Sequence, residues 1–137
     1  MKTKPDDDGS VLLLTLGYAL LALALILVCT CATDLYIAQK RIDAVADAAA
    51  LAGADGFVLA VDGGNVRAVL TDEGVREQAE TVVAAAANDV LLVSAAAPEG
   101  ISARVTVAID WHPPVASMFV PEGIRLEATG TSRTALR

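Results

Sequence analysis

Residues 9–33 read GSVLLLTLGYALLALALILVCTCAT, a run without a single charged side chain. About 20 apolar residues at 1.5 Å of rise cross a ~30 Å hydrocarbon core as a helix. The run therefore predicts a transmembrane helix over 11–33 behind a short N-terminal tail, 1–10. Residues 34–137 are then an extracytoplasmic domain. Lys2 and Lys4 precede the span, and Lys40 and Arg41 follow it, so positive charge alone does not orient it. The small tail and the much larger C-terminal part favour the N-terminus inside and the domain outside. A cleaved secretory signal is the alternative, with Thr30 and Ala32 as small residues at a cleavage site. Against it stand Asp6-Asp7-Asp8 and an apolar core longer than such signals use.

The helical signal does not stop at the membrane. Residues 34–55 read DLYIAQKRIDAVADAAALAGAD, with no proline and one glycine, Gly53. Ala, Leu and Gln are strong helix formers. Leu35, Ile42, Val45, Ala49 and Ala52 recur at helical spacing and predict one apolar stripe, with Lys40, Asp43 and Asp47 facing water. The helix is thus expected to continue to about residue 55. Small residues crowd its outer half, and Ala46, Ala49, Ala50 and Gly53 mark a surface suited to close helix packing. That packing could lie within the domain or between copies.

Beyond the helix, Gly63-Gly64-Asn65 is a strong turn signal. It joins Phe57–Val61 to Val66–Leu70 either as a strand hairpin or as a plain connection between helices. Thr71 then reads as an N-cap, with Asp72 and Glu73 favourable in the first turn. Val75, Ala79, Val82, Val83 and Ala86 give this second helix an apolar face that runs through Ala87, with a stop at Asn88. From Asp89 the period changes to two. Val90–Ala95, Ala103–Trp111 and Ile124–Ala135 read as three strands of an antiparallel meander, and one face of so small a sheet must lie on the helices. The predicted class is α+β: a long N-terminal transmembrane helix, then a second helix packed on a small antiparallel three-stranded sheet.

Composition narrows the function. Past residue 33 there are fourteen acidic and eight basic side chains, a balance that argues against nucleic acid as a partner. Cys29 and Cys31 both lie in the apolar run, and at i, i+2 on a helix they point apart and cannot bridge. They read as small apolar filler, with an intermolecular disulfide or a lipid thioether as the alternative. Val28 and Thr30 ahead of them make a poor lipoprotein signal. His112 is the lone histidine, set before two prolines and without partner ligands. Asp43 and Asp47 are explained by an exposed helix face, and no hydroxyl has an activating base. The expectation is no catalysis, no metal, no cofactor and no small-molecule substrate. Trp111, Met118 and Phe119, in the loop WHPPVASMFVPEG, either close the base of the sheet or form an apolar contact for a partner or a membrane.

Two blocks carry a resemblance: Asp8-Gly9-Ser10 ahead of the apolar helix, and Ala38-Gln39-Lys40-Arg41 through Asp47-Ala48-Ala49-Ala50-Leu51-Ala52-Gly53-Ala54. On these, the chain resembles the TadE/TadG-like pilus-assembly proteins, in particular their small actinobacterial branch, over residues 8–55. The resemblance implies a pilin-like fold and a structural role, as a minor pilin or pseudopilin-like component of a Tad (Flp, type IVb) pilus acting through helix–helix packing. It implies a partner that is another pilin-like or pilus-assembly protein, such as a sibling of the same family. In processed members a peptidase cuts after a glycine and a glutamate lies five residues into the mature chain. Here the candidate site is Gly9–Ser10, and the fifth position holds Leu14. The alternative function is a membrane-anchored or secreted extracytoplasmic binding domain unrelated to pili.

Overall fold

A computed structural model describes residues 8–86, 88–115, 117–118 and 120–134. The tail residues 1–7, and Ala87, Phe119 and Ala135 among the expectations above, lie outside the described residues. Helix α1 runs Asp8–Asp55 without interruption, 48 residues or about 72 Å. It starts three residues before Val11, so Gly9 and Ser10 belong to its first turn rather than to a tail.

Strands β1 (Phe57–Asp62) and β2 (Asn65–Leu70) form an antiparallel hairpin in register from Phe57↔Leu70 to Asp62↔Asn65. The turn is two residues, Gly63 (φ 57) and Gly64 (φ 89). Both need positive φ, the geometry that matches the twist of the flanking strands and that glycine alone adopts freely. The hairpin reading of this segment is therefore the right one.

Helix α2 covers Asp72–Ala86. Thr71 caps it: the Gly74 amide donates to Thr71 Oγ1 at 3.1 Å, satisfying one of the orphan amides of the first turn. Asp72 Oδ1 accepts the Ala97 amide at 2.7 Å, which ties the start of α2 to the end of the next strand. Strands β3 (Leu91–Ala96), β4 (Ser102–Trp111) and β5 (Ile124–Arg133) form a sheet in the order β3-β4-β5, all antiparallel. The chain is thus α+β, with a long apolar N-terminal helix, a second helix and antiparallel sheets.

The helices cover one face of the three-stranded sheet, α1 over β4 and β5 and α2 beside β3. Ala103, Val105, Val107, Ile109 and Trp111 point inward at period two. Val93 in β3 breaks the alternation: the register shifts between Leu92 and Ser94, so Leu92 and Ala95 both reach the helix side. Such a bulge inserts one residue and re-aims its neighbours.

The buried line of α1 is Ile42, Ala46, Ala49, Ala50 and Ala54, together with Gly53. Of the expected stripe, Ile42 and Ala49 are buried, whereas Leu35, Val45 and Ala52 are only half-buried. A helix clasped by a sheet on one side and a second helix on the other buries a wider face than a stripe of bulky residues suggests. Small residues occupy it because backbones come close. A Cβ added at Gly130 of β5 would overlap the Ala46 carbonyl, and one at Gly53 would lie 2.9 Å from Val75 Cγ1. Where α1 ends and α2 begins, a Cβ on Gly56 would stand 2.7 Å from the Gly74 carbonyl oxygen.

Candidate functional site

The first half of α1 has no partner within the chain. Its apolar window is wholly uncovered, and the helix is long and apolar enough to cross a membrane. Leu12, Leu20 and Leu23 are 73%, 59% and 63% exposed. Thr15 and Thr30 turn their hydroxyls back onto the carbonyls of Val11 and Ile26, both at 2.8 Å. These two hydroxyls are thus satisfied within the helix, an arrangement compatible with a lipid environment. Cys29 is exposed and Cys31 half-buried, both as free thiols.

Asp34, the first charge after the apolar run, begins the attachment of the head. Trp111 Nε1 donates to Asp34 Oδ2 at 2.8 Å, across 77 positions of sequence. Higher up, Gln39 Nε2 donates to the Glu127 carbonyl at 3.2 Å and to Asp43 Oδ1 at 3.0 Å. The Gln39 bond, with help from Lys40 Nζ at 3.3 Å, holds the Asp43 carboxyl below its usual 3.8. Gly130 then sits against Ala46, and Ala103 against Gly53. The strands of the head therefore run along the axis of α1, with the Trp111 end of β4 nearest the apolar run and the hairpin at the far end.

The candidate packing residues Ala46, Ala49, Ala50 and Gly53 are all buried inside this head. They meet the sheet and α2 and are closed to another copy. In the outer half of the same helix the exposed small residues are Ala44 and Ala48. With Arg41, Val45, Thr81, Val82, Ala85 and Ala86 they line a shallow groove of about 560 Å³ between α1 and α2.

The proposed contact loop divides. Trp111 is 9% exposed and belongs to the base of the core, whereas Met118 is 87% exposed; Phe119 lies outside the described residues. His112 is exposed, its Nδ1 3.2 Å from the Asp110 carbonyl oxygen. Among the described residues no group of three or more His, Cys, Asp or Glu side chains could hold a metal ion.

Residue patterns left one surface unremarked. In the hairpin, Phe57, Leu59 and Val61 pair with Leu70, Ala68 and Val66, so one face carries apolar side chains only. Leu70 is buried at its base, while Leu59, Val61 and Val66 are exposed at the tip. The alternation was visible once the segment was assigned as strands. Which end of the face the head covers was not.

No family model, curated protein or solved structure matches the chain in comparisons with known proteins.

Proposed function

We propose that the chain is a single-pass membrane protein with its head outside. It acts as a structural component, minor pilin or pseudopilin-like, of a Tad-type (Flp, type IVb) pilus system. The observation that carries this reading is the division of α1. Its outer half is the central element of a small α+β head, and its inner half is apolar and free of any contact with that head. A helix built this way can exchange lipid for the helices of neighbouring subunits with little loss of apolar contact. The Asp8–Ser10 and Ala38–Ala54 blocks supply the resemblance to TadE/TadG-like proteins, and the role is one of assembly rather than catalysis. Its partners are the membrane and other pilin-like proteins, including a sibling of similar build.

The test is a cysteine at Ala22, on the uncovered half of α1, introduced with Cys29 and Cys31 replaced by alanine. In cells, oxidative crosslinking of Ala22→Cys is expected to trap helix–helix products that contain a pilin-like partner. The same protein should appear in sheared surface filaments or in their assembly complex. Monomer alone, absent from both, overturns the reading and leaves an anchored binding head. The mature N-terminus, read by mass spectrometry, reports processing separately: Ser10 marks pilin-type cleavage at Gly9, Thr33 a secreted product, and Met1 a permanent anchor.

A further inference from the structure

Four contacts place the head against α1 with enough register to say where its base lies. From Glu127 to Gly130 strand β5 climbs three residues, about 10 Å at ~3.3 Å each, while its neighbours on α1 climb from Gln39 to Ala46, about 10 Å at 1.5 Å each. Strand β4 agrees. Trp111 to Ala103 spans about 26 Å, against about 28 Å on α1 from Asp34 to Gly53. Strand and helix therefore keep the same level along their whole contact. Extending β5 back by three residues puts Ile124 level with about residue 32 of α1. That is inside the charge-free run, below Asp34.

The turn that joins β4 to β5 leaves from this end. Residues 113–121 carry no charge, and the turn's one carboxylate, Glu122, is exposed next to β5. Val115 and Met118 are 48% and 87% exposed there, and Ile124 beside them is 45% exposed. Apolar side chains exposed on a turn that leaves from the depth where an apolar helix enters its membrane have one chemically matched occupant. Tyr36, exposed on α1 two residues above Asp34, is placed as amphipathic aromatic rings are at a membrane–water boundary.

We propose that the β4–β5 turn is a second membrane contact, with Val115 and Met118 entering the headgroup–acyl boundary of the bilayer that α1 crosses. The claim rests on the reading of α1 as a span. The lipid is a neutral, zwitterionic surface held by apolar insertion, because the head is acidic and the turn offers no cation to an anionic headgroup. The contact fixes which side of α1 faces the membrane surface, and so the rotation of the head about the helix axis.

The test uses the full chain with Cys29→Ala and Cys31→Ala, one copy per phosphatidylcholine nanodisc. Single cysteines at Leu20, Met118 or Leu59 each carry an environment-sensitive fluorophore. The expected result is blue-shifted emission at Leu20 and at Met118. Nitroxide placed near the lipid headgroup should quench Met118 more than Leu20, and Leu59 should stay water-like. Added salt should leave the Met118 signal unchanged, and unshifted Trp111 emission shows that each labelled head is folded. Water-like emission at Met118 with a lipid-quenched Leu20 overturns the proposal while the span stands. Water-like emission at Leu20 removes the span, and the proposal with it. Protection of Met118 only in discs that hold two or more copies assigns the turn to contact between copies and likewise overturns it.

Discussion

Asp34 and Trp111 show how much of this molecule rests on single side chains at junctions. The bond between them is the lowest polar tie between sheet and helix, and its acceptor is a carboxylate. Hydrogen bonds to charged groups contribute about 1.5–3 kcal/mol, so Asp34→Ala should destabilise the head by roughly that amount. Asp34→Asn keeps an acceptor and should lose less. Trp111 is the only tryptophan, and a red shift of its emission in Asp34→Ala before any global melting would locate the loss at the base of the sheet. Gly130 is a second such position. A methyl group there meets the Ala46 carbonyl, which is backbone and cannot swing aside. Gly130→Ala is therefore expected to cost about 1–3 kcal/mol, read as a lowered thermal midpoint. Gly17→Ala, where a Cβ would meet nothing within 4 Å, should be neutral or slightly stabilising. Asp43 supplies a pH dependence. Its folded-state pKa is held below the usual 3.8, so its contribution is present above that value and is lost as pH falls through the lower, folded one. With its side chain 38% exposed the effect is small. Asp43→Asn should lower the thermal midpoint slightly at neutral pH and flatten its acid limb, so that the two proteins converge once Asp43 is protonated.

At the level of elements, strong periodicity made most of the fold legible. The helix from the apolar run to Asp55 and the two-residue alternation of β4 both follow from backbone geometry, and both stand where the residue pattern put them. Alanine was less informative. It carries almost no size signal, so Ala46 and Ala48 read alike, yet one is buried under Gly130 and the other lines an open groove. Only the partner surface separates them. The Val93 bulge was hidden for a related reason, because its register is set by β4 rather than by its own side chains. The Asp34–Trp111 tie could not be read from spacing, since no local period connects residues 77 apart. The hairpin yields the clearest test at this scale. Leu59 and Val61 are exposed, so replacing both with threonine should change stability by no more than about 0.5 kcal/mol. A larger loss in chemical denaturation would mean that a second surface covers them.

The whole molecule divides at residue 34. Every core side chain lies at Ile42 or beyond, and none comes from the apolar run. A chain restricted to residues 34–137 is accordingly expected to fold without lipid. Its circular dichroism should show cooperative melting and its Trp111 emission should match the full-length protein. Failure to fold would mean that the apolar half supports the head, which the burial pattern gives no reason to expect. Such a fragment would also carry a net charge near −6, enough to keep it dispersed in solution.

The uninterrupted course of α1 has a mechanical consequence. Apolar half and head share one rod, and the sheet is clamped to it at Asp34, Gln39, Ala46 and Gly53. The hairpin sits where that rod ends, about 30 Å above Asp34 along the axis. A lean of about 10° within the lipid would swing the tip sideways by about 5 Å. Were α1 to span a bilayer as proposed, a change in bilayer thickness would be delivered, as displacement, to Leu59 and Val61 at the hairpin tip.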